Sequence, residues 1–147
     1  MEDPANDLAA ALDAAQWHTR SEALRYLGEH PTTALKLHAT AVVGRIADSD
    51  SSVRSAAVTA CKRLGAVSLV EHVHALTQLL QDTSWPVRLS ALQVLSSLPE
   101  SALSQVASSI QPLVEDSDSS VREAATQLHE RAITHQRRCE QAHSGYL

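Results

Sequence analysis

At 147 residues the chain has the length of one ordinary domain, enough to bury a continuous core. Aromatic residues make up only 3% of it, with no Phe, and Gly is scarce beside Leu, Ala and Val, which favours packed helices over a sheet. A formal net charge of −5 offers no basic field on which a polyanion could condense, so nucleic-acid binding is set aside.

The acidic start, Met1 to Asp7, has neither a basic n-region nor an apolar h-region. No later stretch approaches the roughly 18 apolar residues of a membrane span, and a soluble cytoplasmic protein is expected. Three segments then coincide at an offset of 34 residues: Asp48-Ser-Asp-Ser-Ser-Val53-Arg54, Asp82-Thr-Ser-Trp-Pro-Val87-Arg88 and Asp116-Ser-Asp-Ser-Ser-Val121-Arg122. One further step back from Arg54 reaches Arg20, inside Trp17-His-Thr-Arg-Ser-Glu-Ala23-Leu24-Arg-Tyr-Leu27, so a fourth, degenerate copy opens the protein. Units near 1–31, 32–65, 66–99 and 100–133 follow, and each buries its apolar face against its neighbours.

The first predicted helix, 4–15, starts at Pro4 and carries Leu8 and Leu12. Their equivalents are Val42 with Ile46, Leu76 with Leu80, and Ile110 with Val114, which predict first helices over 32–47, 67–81 and 100–115. Leu35, Leu69 and Leu103 extend that stripe. Second helices are predicted over 17–28, 51–64, 85–98 and 119–142. They share Val53, Val87 and Val121, the alanines Ala23, Ala57, Ala91 and Ala125, and the set Tyr26, Ala60, Val94 and Leu128. Small alanines let paired helices approach closely. Gly28, Gly65 and Pro99 are placed after second helices, and Ser120 with Glu123 would form a capping box. Cys61 replaces a repeat leucine and reads as a small buried hydrophobe; with Cys139 alone beside it there is no disulfide framework.

In the last copy Thr126 and His129 stand where earlier units carry apolar residues, and 134–147 is polar. This predicts a helix that caps a small, complete solenoid. The opening face is less clearly capped, so a monomer or a weak homodimer is expected.

An Asp closing the first helix, followed six residues later by the Arg of a Val-Arg pair in an Ala-rich second helix, resembles the HEAT-repeat pattern over about residues 5–133. The resemblance implies an all-α solenoid of about four helix pairs. The period is short for HEAT units and the usual first-helix proline is missing; a period of 34 residues suits tetratricopeptide repeats, but their Trp, Gly, Tyr and Phe signature is absent. Arg20, Asp48, Arg54, Asp82, Arg88, Asp116 and Arg122 are read as a structural ladder. The carboxylates would accept backbone N–H bonds at the turn and meet an arginine of their own or a neighbouring unit.

Function is sought in residues that break the pattern on exposed faces. Trp17 and Trp85 occupy positions held by Ser51 and Ser119 elsewhere, and a turn has no need of an indole; both would lie along one edge as anchors. The outward row of the second helices reads Ser21 and Arg25, then Ser55, Thr59 and Lys62, then Leu89, Gln93 and Ser96, then Glu123, Gln127 and Glu130. In a HEAT-like superhelix it would line the concave side, and it runs from basic to acidic. A non-catalytic adaptor or scaffold for a protein partner is expected, with no cofactor and no metal.

Three alternatives are narrower. Trp17-x2-Arg20-x2-Ala23-Leu24-x2-Leu27 is similar to the opening repeat of tubulin-binding TOG domains, which are longer and have more basic turns. Deoxyhypusine hydroxylase, an iron enzyme of HEAT-like build, repeats His-Glu pairs where this chain has Ser21-Glu22, Ser55-Ala56, Leu89-Ser90 and Glu123-Ala124, and bilin lyases share the repeats without a site motif to carry over. His135, Cys139 and His143 follow i, i+4, i+8 spacing, but the outer two are about 12 Å apart along a helix and cannot converge.

Overall fold

A computed structural model describes the backbone of residues 4–145 and the side chains of 7–145. Its ten α-helices are α1 (Pro4–Leu12), α2 (Trp17–Glu29), α3 (Thr32–Leu37), α4 (Ala39–Gly44), α5 (Ser51–Arg63), α6 (Gly65–Glu71), α7 (Val73–Leu79), α8 (Trp85–Leu95), α9 (Glu100–Ile110) and α10 (Ser119–Ser144). Two 3-10 segments, Arg45–Ala47 and Gln111–Glu115, tighten the ends of first helices ahead of the Asp turns. There are no strands among the described residues. The molecule is an all-α solenoid, with α2, α5, α8 and α10 stacked side by side as second helices and the shorter segments forming the opposite layer.

The core follows the repeated apolar positions. Leu12, Ile46 and Leu80 are buried, Val114 is partly so, and Val42, Leu76 and Ile110 are fully enclosed. Ala57, Ala91 and Ala125 have no accessible surface, which is what permits successive second helices to lie in contact. One apolar cluster runs without interruption from Leu12 to Ala132. Enclosing each Leu, Ile or Val in it contributes about 1.5–3 kcal/mol, which is the main term holding the stack together.

Several local expectations are corrected. The first helices of units two and three are broken at His38 and His72, whose φ values of −103° and −104° with ψ of 14° and 8° lie outside the helical well. The bends keep both ends of each segment in the core: Leu35 and Val42 flank the first, Leu69 and Leu76 the second. The opening helix ends at Leu12, three residues early, with Asp13 and Ala14 tightening onto the Ala10 and Ala11 carbonyls. Gly28 lies inside α2, whereas Gly65, at φ 81°, takes the left-handed conformation that ends a second helix. Tyr26 does not pack inward. It is 47% exposed and stacks on His30 with ring centroids 3.7 Å apart, because an aromatic ring is too large for the place that Ala60 and Val94 fill.

The capping box is also replaced. Asp118 is the N-cap of α10 and accepts from the Ser120 and Val121 amides, as Asp50 does from Ser52 and Val53 in α5. Thr126 and His129 are half-buried, and Thr126 Oγ1 donates to the Arg122 carbonyl at 2.8 Å. Beyond Ile133 the side chains of α10 are exposed, apart from His135, which is half-buried. No described helix is long and apolar enough to cross a membrane.

Candidate functional site

Each Asp turn is built the same way. Asp48, Asp82 and Asp116 accept the amide two residues on, at 2.9, 2.8 and 3.0 Å, which folds the chain into the start of the next helix. The arginine six residues later turns back over its own turn: Arg54, Arg88 and Arg122 each donate to the carbonyl of the turn Asp, at 2.7–2.8 Å. Arg20 does the same on Ala14 and Ala15, where the first unit has no Asp.

The same guanidiniums reach across to the following unit, but not everywhere. Arg20 grips Asp48 through two bonds of 2.8 and 2.9 Å, and Arg88 grips Asp116 through bonds of the same lengths. Arg54 and Asp82 occupy the corresponding register, yet Arg54 bonds only carbonyls of its own turn among the described residues. The ladder has two closed rungs and an open middle one. Burial works to raise the Asp48 carboxyl, but the Arg20 bonds, the Asp50 amide and Arg45 at 3.3 Å together hold it below the ordinary carboxylate range. For Asp116 the Arg88 bond is the largest effect and outweighs burial, again lowering the carboxyl.

On the edge, Trp17 is 50% and Trp85 46% exposed. Trp17 meets His18 edge to face and lines a groove of about 430 Å3 with Gln16, Ser49 and Asp50. The second-helix row supplies the larger concavity. Ser21 and Arg25 of α2 face Ser51, Ser52, Ser55 and Thr59 of α5 across a furrow of about 660 Å3 floored by Leu24 and Ala56. A smaller furrow of about 220 Å3 lies between α8 and α10, lined by Gln93, Ser96 and Gln127 over Leu92 and Ala124. Lys62, Glu123 and Glu130 are exposed on the same helices, while Leu89 is half-buried and packs on the core. Successive second helices pack directly on one another along the array.

Two arginines outside the Asp-Val-Arg pattern also bridge units. Arg63 donates to the carbonyls of Gly28 and, at 3.0 Å, His30 at the C-terminus of α2, and Arg131 donates to Ser96 at 3.1 Å at the C-terminus of α8. Their recurrence at twice the repeat spacing is the signal by which sequence could find them. Cys139 Sγ lies 3.4 Å from His135 Nε2, but no group of three or more His, Cys, Asp or Glu among the described residues could hold a metal ion. Cys61 is enclosed, and burial pushes its thiol up to about 12, where it is unreactive.

Among solved structures, two engineered proteins from a structural genomics consortium share this fold. The first has a TM-score of 0.60 and 22% identity over 86% of this chain and 61% of its own; the second has 0.58 and 21% over 86% and 62%. A designed armadillo repeat protein solved in complex with the peptide (KR)4 gives a TM-score of 0.58 and 17% identity over 85% of this chain and 62% of its own. This chain thus spans about three fifths of the length of these structures. Comparison with curated proteins finds no match. The family described as HEAT repeats matches residues 5–96 and, overlapping them, 39–128. Turn, ladder and stacked helix pairs agree with that match, and the chain belongs to the HEAT-repeat family.

Proposed function

We propose that the chain is a non-catalytic adaptor that binds an extended segment of a protein partner along its second-helix layer. The observation that carries this reading is the furrow between α2 and α5, where Ser21, Arg25, Ser55 and Thr59 converge on an open space of about 660 Å3. Hydroxyls and one guanidinium over an apolar floor suit a peptide backbone and its side chains better than a buried reaction. The designed armadillo repeat protein, of like architecture, was solved in complex with a peptide, which supports peptide binding as a use of this fold. On this reading the protein acts in the cytoplasm, as a monomer or a weak homodimer.

The test is capture of a partner from cell extract on the immobilised chain, read by mass spectrometry. A variant carrying both Thr59→Arg and Gln127→Arg, which fills both furrows, should lose the partner while keeping the native circular dichroism. Retained capture would remove the second-helix layer from the function. The edge is tested separately by Trp17→Ala with Trp85→Ala, expected to weaken capture without unfolding. A tubulin-binding reading has the exposed Trp17 in its favour; its groove, however, is shared with Asp50 and Ser49 and is not basic. Failure to co-sediment with tubulin at low salt would end it.

A further inference from the structure

Tryptophan and aspartate recur together along the turn edge. Trp17 of unit one has Asp50 at the head of the next second helix, and Trp85 of unit three has Asp118, whereas at the joint between them Ser51 is matched by Ser84. Trp17 and Asp50 meet in space, since both line the groove of about 430 Å3 between the first two turns. The register gives Trp85 and Asp118 the same relation, with Pro86 in place of His18, so an indole and a carboxylate are what the two places share. Both indoles are about half exposed and both aspartates half-buried.

Neither aspartate is used up by its structural role. Asp50 Oδ1 accepts the Ser52 and Val53 amides at 2.9 and 3.2 Å, and Asp118 Oδ1 accepts those of Ser120 and Val121 at 2.9 and 3.1 Å. Oδ2 of each makes no hydrogen bond or ion pair among the described residues. The cap does not by itself demand aspartate, because α8 begins at Ser84 with no side-chain cap bond at all.

The cations nearby are committed elsewhere. Arg20, which also lines the groove, gives Nε and one terminal nitrogen to Asp48 and the other to the Ala14 and Ala15 carbonyls. Arg45 lies on Asp13 and Asp48 at 3.5 and 3.3 Å, and Arg54 donates to the Asp48 and Ser49 carbonyls without lining the groove. Asp50 is thus a carboxylate in the groove with no cation of its own. Asp118 stands likewise, with Arg88 taken by Asp116 and Arg122 by the Asp116 and Ser117 carbonyls. His18 meets the Trp17 ring edge to face and so covers at most one side of it.

Resting on the adaptor reading above, we propose that each pair, Trp17 with Asp50 and Trp85 with Asp118, holds an arginine side chain of the protein partner, its guanidinium against the indole and bonded to the free carboxylate oxygen. A planar, weakly hydrated guanidinium is the group that both stacks on an aromatic ring and pairs with a carboxylate. The two places are two repeat spacings of about 10 Å apart, which an extended segment rising about 3.3 Å per residue spans with arginines about six residues apart. Holding both on one segment multiplies two weak contacts.

The probe is a fluorescein-labelled Gly/Ser peptide with two arginines six residues apart, beside the same peptide carrying citrulline, the neutral isostere, at both positions. Binding is read by anisotropy at low salt, and the arginine peptide should bind about tenfold more tightly than the citrulline one. Asp50→Asn with Asp118→Asn keeps a capping side chain and removes only the charge, so it should weaken binding about tenfold at an unchanged melting temperature. Trp17→Ala with Trp85→Ala should do the same. Glu71→Gln with Glu140→Gln, exposed carboxylates on α6 and α10, removes an equal net charge and should leave the affinity as it was. Equal affinity for the two peptides, full affinity in the asparagine pair, equal losses in the two charge-removing pairs, or no measurable binding of the arginine peptide would overturn the proposal. The adaptor reading is judged apart from these results, on whether Thr59→Arg with Gln127→Arg abolishes partner capture.

Discussion

Asp48 and Asp116 each serve several donors at once: two from an arginine of the preceding unit and the amide two residues on. Both carboxyls are held below their ordinary value, so they contribute stability that is present above about pH 3.9, the value of an unfolded Asp, and lost as pH falls through the folded value. The melting temperature should accordingly drop in acid below about pH 4, and Asp48→Asn with Asp116→Asn should lower it at pH 7 and flatten that acid limb. An unchanged limb in the double variant would place the acid sensitivity elsewhere. Cys61 supplies a second prediction at this scale. Iodoacetamide should modify the native chain once, at exposed Cys139, while Cys61→Ser, which buries a hydroxyl among apolar groups, should cost about 1–3 kcal/mol by urea unfolding.

Helices α5 and α10 begin with an aspartate that bonds two amides, whereas Ser84 at the start of α8 makes no side-chain cap bond. Asp118→Ala should therefore destabilise the chain by about 1 kcal/mol, and Ser84→Ala by much less. Equal losses in chemical denaturation would contradict the difference in capping. At this scale much was legible in sequence, because Asp, Val and Arg at a fixed offset report the same turn three times. The cap itself was misassigned to Ser120, since Ser, Thr and Asp compete for the same amides and only backbone geometry shows which residue is outside the helix. The breaks at His38 and His72 were hidden for a related reason: the apolar spacing on either side of them is that of an uninterrupted helix.

Across the whole molecule the apolar core is continuous, but the polar ties are not. Leu69 is fully enclosed on the unit-three side of the joint between units two and three, which no arginine bridges among the described residues. Leu69→Ala should cost about 2–5 kcal/mol, and because no side-chain hydrogen bond or ion pair crosses that joint among the described residues, native-state hydrogen exchange should show it opening at lower free energy than the joints tied by Arg20 and Arg88. Exchange that is uniform across all three joints would show that the arginine ties add little cooperativity.

The architecture was readable from residue order alone, since burial repeats with the unit and leaves Leu, Val and Ala at the same places in each copy. The opposite is true of which units are tied and where the clefts open. Arg20, Arg54 and Arg88 carry the same local motif, yet only the first and last close on the next aspartate, and Arg63 and Arg131 reach carbonyls more than thirty residues away. Such contacts depend on how neighbouring second helices are spaced and inclined, which is set by the summed packing of every side chain between them. The candidate row on those helices could be enumerated from periodicity, but its division into two furrows with half-buried Leu89 between them is a consequence of that packing.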